Sequence, residues 1–159
     1  MTNGADWQTL PTTTFGDDPA LADRLAALVV ARVKTATCWA AQHGSDTAIG
    51  DQRVCLGGDG TPVAILETTK IVTVSFSDVT QDMAALEGEG DLSLDYWRHV
   101  HEAFFKRDGT WSPDMDVVFE TFKLVDILDL HFAAEARGQV DAERAAAYAA
   151  GYKALESKP

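Results

Sequence analysis

The chain is poor in cysteine, poor in positive charge and free of long apolar runs, and each scarcity closes off a class of protein. Cys38 and Cys55 are the only cysteines, and they form no CxxC pair. That spacing does not build a structural zinc site, and two free thiols in a reducing compartment are the simpler reading than one disulfide. His43, His99, His101 and His131 could in principle add ligands, but His99 and His101 lie two apart, which on a helix turns them about 200° from each other. Neither a metal nor another cofactor is expected.

Thirteen basic residues face 25 acidic ones, for a formal net charge of −12. Such a field repels polyanions at long range and argues against a non-specific nucleic-acid binder, which normally presents a basic face. A local basic pocket stays open to Arg32, Lys34, Arg53, Lys70, Arg98, Lys106 and Arg107, and a small nucleoside brings no phosphate backbone. The longest apolar helical stretch, residues 21–33, is interrupted by Asp23, Arg24 and Arg32, and is too short and too charged to span a bilayer. Residues 1–20 lack the basic start and apolar run of a secretory leader. The expectation is a cytoplasmic protein with no membrane attachment.

What is present suits one domain with its own core: 159 residues, 46% of them hydrophobic. Residues 1–16 read as a polar arm, with Trp7 and Phe15 able to pin it. Asp18-Pro19 is a helix start, and Leu21, Leu25, Leu28 and Val29 continue it at helical spacing to about residue 33. Residues 34–39 turn into an extended segment. Strands are expected at 52–56, 62–66 and 71–76, with 67–70 between or continuing the last two, and with glycines 57, 58 and 60 forming a hairpin turn. Those glycines lack the lysine and following helix of a phosphate loop. A short helix capped by Thr80 leads to the run Glu87-Gly88-Glu89-Gly90-Asp91. A helix follows at 94–105, with Trp97, Val100 or His101, and Phe104 on one face, then a strand at 116–124 that residues 125–130 extend. The alanine-rich residues 133–155 give a last helix, placed after Gly138, which either packs on the domain or faces a partner such as a second copy in a homodimer. The pattern lacks strict strand–helix alternation, so the fold class is α+β: a small, partly closed β-barrel with surrounding helices.

Two segments carry candidate chemistry. In Lys34-Thr35-Ala36-Thr37, a buried lysine of lowered pKa beside a threonine hydroxyl makes a base–nucleophile pair, although such a string is more often a solvated turn. In residues 87–91, acidic side chains spaced by glycine usually mark a flexible loop; the functional alternative turns one carboxylate inward, with Glu87 desolvated by Met83, Ala84 and Leu86. Trp39 either packs in the core or stacks on a base. Cys38 lacks an evident histidine partner, and Asp46, Asp51, Asp95 and Glu102 show no paired-carboxylate spacing.

At these segments the chain resembles the ASCH-domain family, related in fold to the PUA RNA-binding domains. The resemblance covers residues 21–125. It rests on Arg32-Val33-Lys34-Thr35-Ala36-Thr37, which matches the family's Gly-x-Lys-x-x-Thr string, on Ile49-Gly50-Asp51 and the strands after it, on residues 87–94 followed by Tyr96-Trp97-Arg98, and on the strand Val117-Val118-Phe119-Glu120-Thr121-Phe122. Arg32 departs from the usual glycine, which permits tight backbone geometry or close substrate approach. The resemblance implies a small barrel, here residues 17–130 between the arm and a helical extension at 131–159, with a cleft at the lysine–threonine string. Small bacterial members hydrolyse the acyl amide of N4-acetylcytidine, so it implies a metal-independent amidohydrolase with Lys34, Thr37 and Glu87 as catalytic residues. Arg32, Thr35, Trp39, Arg53 and Arg98 would bind the substrate. In that scheme Lys34 takes the proton of Thr37, Thr37 or water attacks the acyl carbon, and Glu87 assists the departing amine. A ribonuclease or RNA-binding protein acting on single-stranded RNA, or a non-catalytic binding module, are the other functions found on this fold.

Overall fold

The computed structural model describes residues 6–151. In chain order the elements are β1 (Thr12–Thr13), α1 (Pro19–Val30), β2 (Ala36–Ala40), β3 (Gln52–Leu56), β4 (Pro62–Ser75), α2 (Gln81–Leu86), α3 (Leu94–Asp108), β5 (Asp116–Ile127) and α4 (Leu130–Ala149). The local signals act as the sequence suggests. Asp18 accepts a hydrogen bond from the Leu21 amide at 2.8 Å with Pro19 in the first turn, and Thr80, Ser93 and Asp129 cap α2, α3 and α4 in the same way. The glycine-rich segment is the turn of the β3–β4 hairpin, closed by the Gly57 amide donating to the Thr61 carbonyl at 2.8 Å.

The class is α+β, but the expected barrel is not formed. The five strands run in the order β1-β3-β4-β5-β2, an open mixed sheet in which β1 and β2 are free edges. β1 is two residues long and pairs in parallel with β3, and β2 pairs only with β5. Two such short edges, each hydrogen-bonded on one side, have no register with which to close on each other. Residues 62–75 form one long strand, so 67–70 continue the segments on either side, one of the two expected possibilities. Its register shifts at Ile65/Leu66 and again at Thr68/Lys70, inside that joining stretch. Bulges of this kind bend a strand without ending it.

Two apolar clusters fill the sheet's surroundings. In one, Leu25, Leu28 and Val29 of α1 pack with Val63, Leu66 and Phe122, and with Ala136 and Val140 of α4. In the other, Phe76, Ala84, Trp97, Phe105 and Val117 bring α2 and α3 onto the sheet. The last helix begins at Leu130, ahead of the expected start after Gly138, and packs on α1; residues 152–155 of the expected helix lie outside the described part. Phe15 does pin the arm: it is buried and stacks on Phe122 with ring centroids 5.8 Å apart.

Candidate active site

The end of α1 determines where Lys34 goes. Arg32 has φ +67°, its amide donates to the Val29 carbonyl at 2.9 Å, and the Val33 amide donates to the Leu28 carbonyl at 3.0 Å. This is a Schellman termination with Arg32 at the left-handed position that normally selects glycine. It reverses the chain and turns Lys34 inward, where it is 2% exposed. The Lys34 ammonium donates to Glu89 Oε2 at 3.0 Å, Glu87 Oε1 at 3.2 Å and the Ala36 carbonyl at 2.9 Å. Burial alone would push its pKa down; the carboxylates of Glu89 and Glu87 outweigh burial and hold it above the ordinary value. Lys34 is therefore an ammonium at neutral pH in the resting site, not the partly neutral base that the lysine–threonine string suggests.

The carboxylates reach Lys34 because residues 87–91 are tightly held. Gly88 has φ +73°, and a side chain there would meet the Val33 carbonyl oxygen at 2.4 Å; one at Gly90 would strike the Tyr96 ring. The glycines that read as flexibility are thus required by close approach. Glu87 is 1% exposed, and its Oε2 accepts the Trp97 indole N–H at 2.6 Å. Burial opposes its ionisation, but Lys34 and His101 prevail and keep it well below the usual carboxylate range. Glu89 shifts the other way: burial and the adjacent Glu87 charge exceed the pull of Lys34. Two carboxylates of unlike acidity thus share one ammonium.

His101, one turn after Trp97 on α3, completes the cluster. It stacks on the Trp97 ring with centroids 4.3 Å apart, its Nδ1 lies 2.9 Å from the Trp97 carbonyl, and its Nε2 lies 3.5 Å from Glu87 Oε2. With Nδ1–H donating to a carbonyl, Nε2 meets a carboxylate favourably only when it too carries a proton. Burial would lower its pKa, and Glu87 raises it above the ordinary histidine value. Burial and the neighbouring Glu87 carboxylate push the pKa of the Cys38 thiol well up. Cys55 is pushed up to about 12, chiefly by burial. Both cysteines are free.

Lys34, Thr37, Cys38, Glu87, Glu89 and His101 line one cavity of about 500 Å³, within the range that holds small ligands. The three residues named as catalytic therefore line the same cavity. A second groove runs from it between the free edges β1 and β2, lined by Thr12, Thr13, Thr37, Trp39, Arg53 and Glu120 among others. The gap in the unclosed sheet is this groove. Arg53 is held there by Glu120 in a fork at 2.7 and 2.9 Å, with Thr68 donating to the same carboxylate. The Trp39 indole N–H is buried without a hydrogen-bond partner among the described residues. Arg32, Thr35 and Arg98 line neither space: Arg32 and Arg98 are exposed, and Thr35 bonds through its amide and hydroxyl to the Leu86 carbonyl.

Sequence reasoning did not single out His101 or a role for Glu89, although the i, i+4 spacing from Trp97 and the acidic run contained both. It also missed α4. Glu143, 3% exposed, accepts the Gly90 amide at 2.9 Å and is paired with Arg24 at 3.0 Å. Arg144 donates to the Gly88 and Gly90 carbonyls at 2.9 and 2.7 Å. The last helix is the clamp of the loop that carries Glu87 and Glu89.

A small open-sheet α+β domain, with a buried lysine–carboxylate cluster beside a ligand-sized cavity, defines the class, and comparison gives the family. The chain belongs to the ASCH-domain family, whose model matches residues 11–126. It is similar to the crystal structure of an ASCH domain from Lactobacillus crispatus JV V101, with 32% identity, a TM-score of 0.69, and 76% of this chain and 82% of that one covered. It is also similar to a protein from Enterococcus faecalis V583, with 31% identity, a TM-score of 0.68, and coverage of 80% and 81%. No curated protein matches it. Among the described residues no helix is long and apolar enough to cross a membrane.

Proposed function

We propose that the chain is an amidohydrolase that removes the acyl group from N4-acylated cytosine nucleosides such as N4-acetylcytidine. The observation that carries this reading is the meeting of Lys34 and Glu87, 53 residues apart, as a buried pair on the wall of a cavity that Thr37 also lines. These are the positions that the family resemblance matches to the catalytic set of N4-acetylcytidine hydrolases.

The charge state of Lys34 assigns the roles. As an ammonium it stabilises the oxyanion that develops on the acyl carbonyl. Glu89, a carboxylate with a raised pKa on the same cavity wall, takes the proton from Thr37 Oγ1 as that oxygen bonds to the acyl carbon. The C–N4 bond breaks and the proton passes from Glu89 to the departing amine. Water then adds to the threonyl ester, gives its proton through Glu89 to Thr37, and the carboxylic acid leaves. Glu87, fixed by Lys34 and Trp97, holds the ammonium in place. Water attacking directly, with Thr37 only binding, gives the same products. Trp39 and the groove between the sheet edges offer a flat surface for the pyrimidine.

A single-stranded RNA substrate is less well supported. It would require Arg32, Arg53 and Arg98 to converge, whereas Arg53 is neutralised by Glu120 and the other two line neither space. The test is hydrolysis of N4-acetylcytidine, followed by ultraviolet absorbance, for the parent and for Lys34→Ala. Turnover by the parent with a loss of at least about 100-fold in the variant is expected, the size seen when one oxyanion donor is removed. A folded parent inactive over several acyl lengths rules the proposal out and points to cleavage and salt-dependent binding of short RNAs.

A further inference from the structure

The geometry points to a binding site for a borderline-soft divalent cation, of the zinc class, formed by Cys38, Glu87 and His101. One donor atom from each residue lies within 4.8 Å of those of the other two. Tetrahedral zinc holds its ligands roughly 3.5 Å apart, given metal–sulfur and metal–nitrogen bonds of about 2.3 and 2.0 Å. Side-chain rotation covers that difference. Each residue comes from a different element: Cys38 from β2, Glu87 from the end of α2 and His101 from α3.

The surroundings are those of a metal site. The His101 Nδ1 is engaged by the Trp97 carbonyl at 2.9 Å, which directs Nε2 toward Glu87. A backbone carbonyl on the far nitrogen is the usual outer-shell support of a ligating histidine. The Trp97 indole N–H orients the Glu87 carboxylate in turn. The three residues line the cavity, so a fourth position is open to water. A thiolate and an imidazole favour zinc over magnesium or calcium.

The charge balance also permits binding. Entry of one dication displaces the Cys38 thiol proton and the Nε2 proton of His101, so two protons leave as two charges arrive. The buried cluster, including Lys34 with Glu87 and Glu89, keeps the same net charge. Lys34 retains Glu89 and the Ala36 carbonyl as partners. A bound ion would occupy the wall used by the proposed hydrolase, yet its binding does not depend on that activity.

The experiment is a titration of the full chain with Co²⁺ under a non-thiol reductant, read by absorbance. Expected are a near-ultraviolet thiolate-to-cobalt band and tetrahedral visible bands that saturate at one equivalent and are displaced by Zn²⁺. Cys38→Ser should lose the charge-transfer band and Cys55→Ser should keep it. His101→Gln should weaken binding at least about 100-fold, since loss of an outer-shell partner alone costs 10- to 100-fold. No thiolate band in the parent, or a band that survives in Cys38→Ser, overturns the assignment, as does unchanged affinity in His101→Gln. Because the readout is spectral, a negative result here and a negative hydrolysis assay are separate findings.

Discussion

Arg32 shows how one residue can occupy a position written for another. A non-glycine residue in the left-handed region costs roughly 1–2 kcal/mol, offset in part by the greater unfolded-chain entropy of glycine. Arg32 is exposed, so its replacement removes no packing. Arg32→Gly is therefore expected to stabilise the fold by about 1 kcal/mol, read as a higher midpoint in urea at unchanged slope. The same substitution leaves the Lys34 contacts in place. His101 carries a second expectation. Its folded pKa is raised by Glu87, so its contribution is fully present below the unfolded value of about 6.5 and is lost as pH rises through the folded value. Thermal unfolding from pH 5.5 to 8.5 should show the parent losing its advantage over His101→Gln as the pH rises. An advantage that instead grew with pH would mean that the ring is neutral beside Glu87.

At the scale of elements, most of the fold was legible and the closure was not. The caps, the hairpin and the strand at 116–124 follow from local chemistry, because a cap or a turn is decided within four residues. Whether a sheet closes depends on pairing between strands far apart in sequence, and nothing in Thr12-Thr13 or in residues 36–40 encodes it. The site was legible to the extent that Lys34, Thr37 and Glu87 sit in recognisable strings. The protonation of Lys34 was not, because it is set by Glu89 and Glu87 arriving from 53 and 55 residues away. Nor was the role of α4: Glu143 and Arg144 look like any charged pair in an alanine-rich helix. Arg144 makes two charge-assisted bonds to the loop but is partly exposed, so Arg144→Ala is expected to cost about 1–2 kcal/mol. Hydrogen exchange at residues 88–92 should quicken while the β4–β5 amides stay protected, and Arg144→Lys should restore protection only in part, since a lysine stem does not carry its ammonium to the place where Nη1 bridges both carbonyls.

Taken whole, the molecule concentrates opposite charge inside while its total stays strongly negative. The cavity holds an ammonium, a histidine and two carboxylates, and the adjoining groove pairs its arginine with Glu120. Removing one member of such a buried set leaves the others uncompensated, which typically costs 3–5 kcal/mol. The acidic exterior and the neutralised groove together suit a small uncharged ligand better than a polyanion.

The clamp from α4 also sets an order in time. During synthesis the residues of the sheet, the cavity wall and the acidic loop all leave the ribosome before Glu143 and Arg144 do. A nascent chain that has just exposed Ile127 holds every strand and every cavity residue named above, but the bonds from α4 to the Gly88 and Gly90 backbone are still missing. The pocket is thus finished by the last described helix to appear, after the sheet beneath it has all its strands.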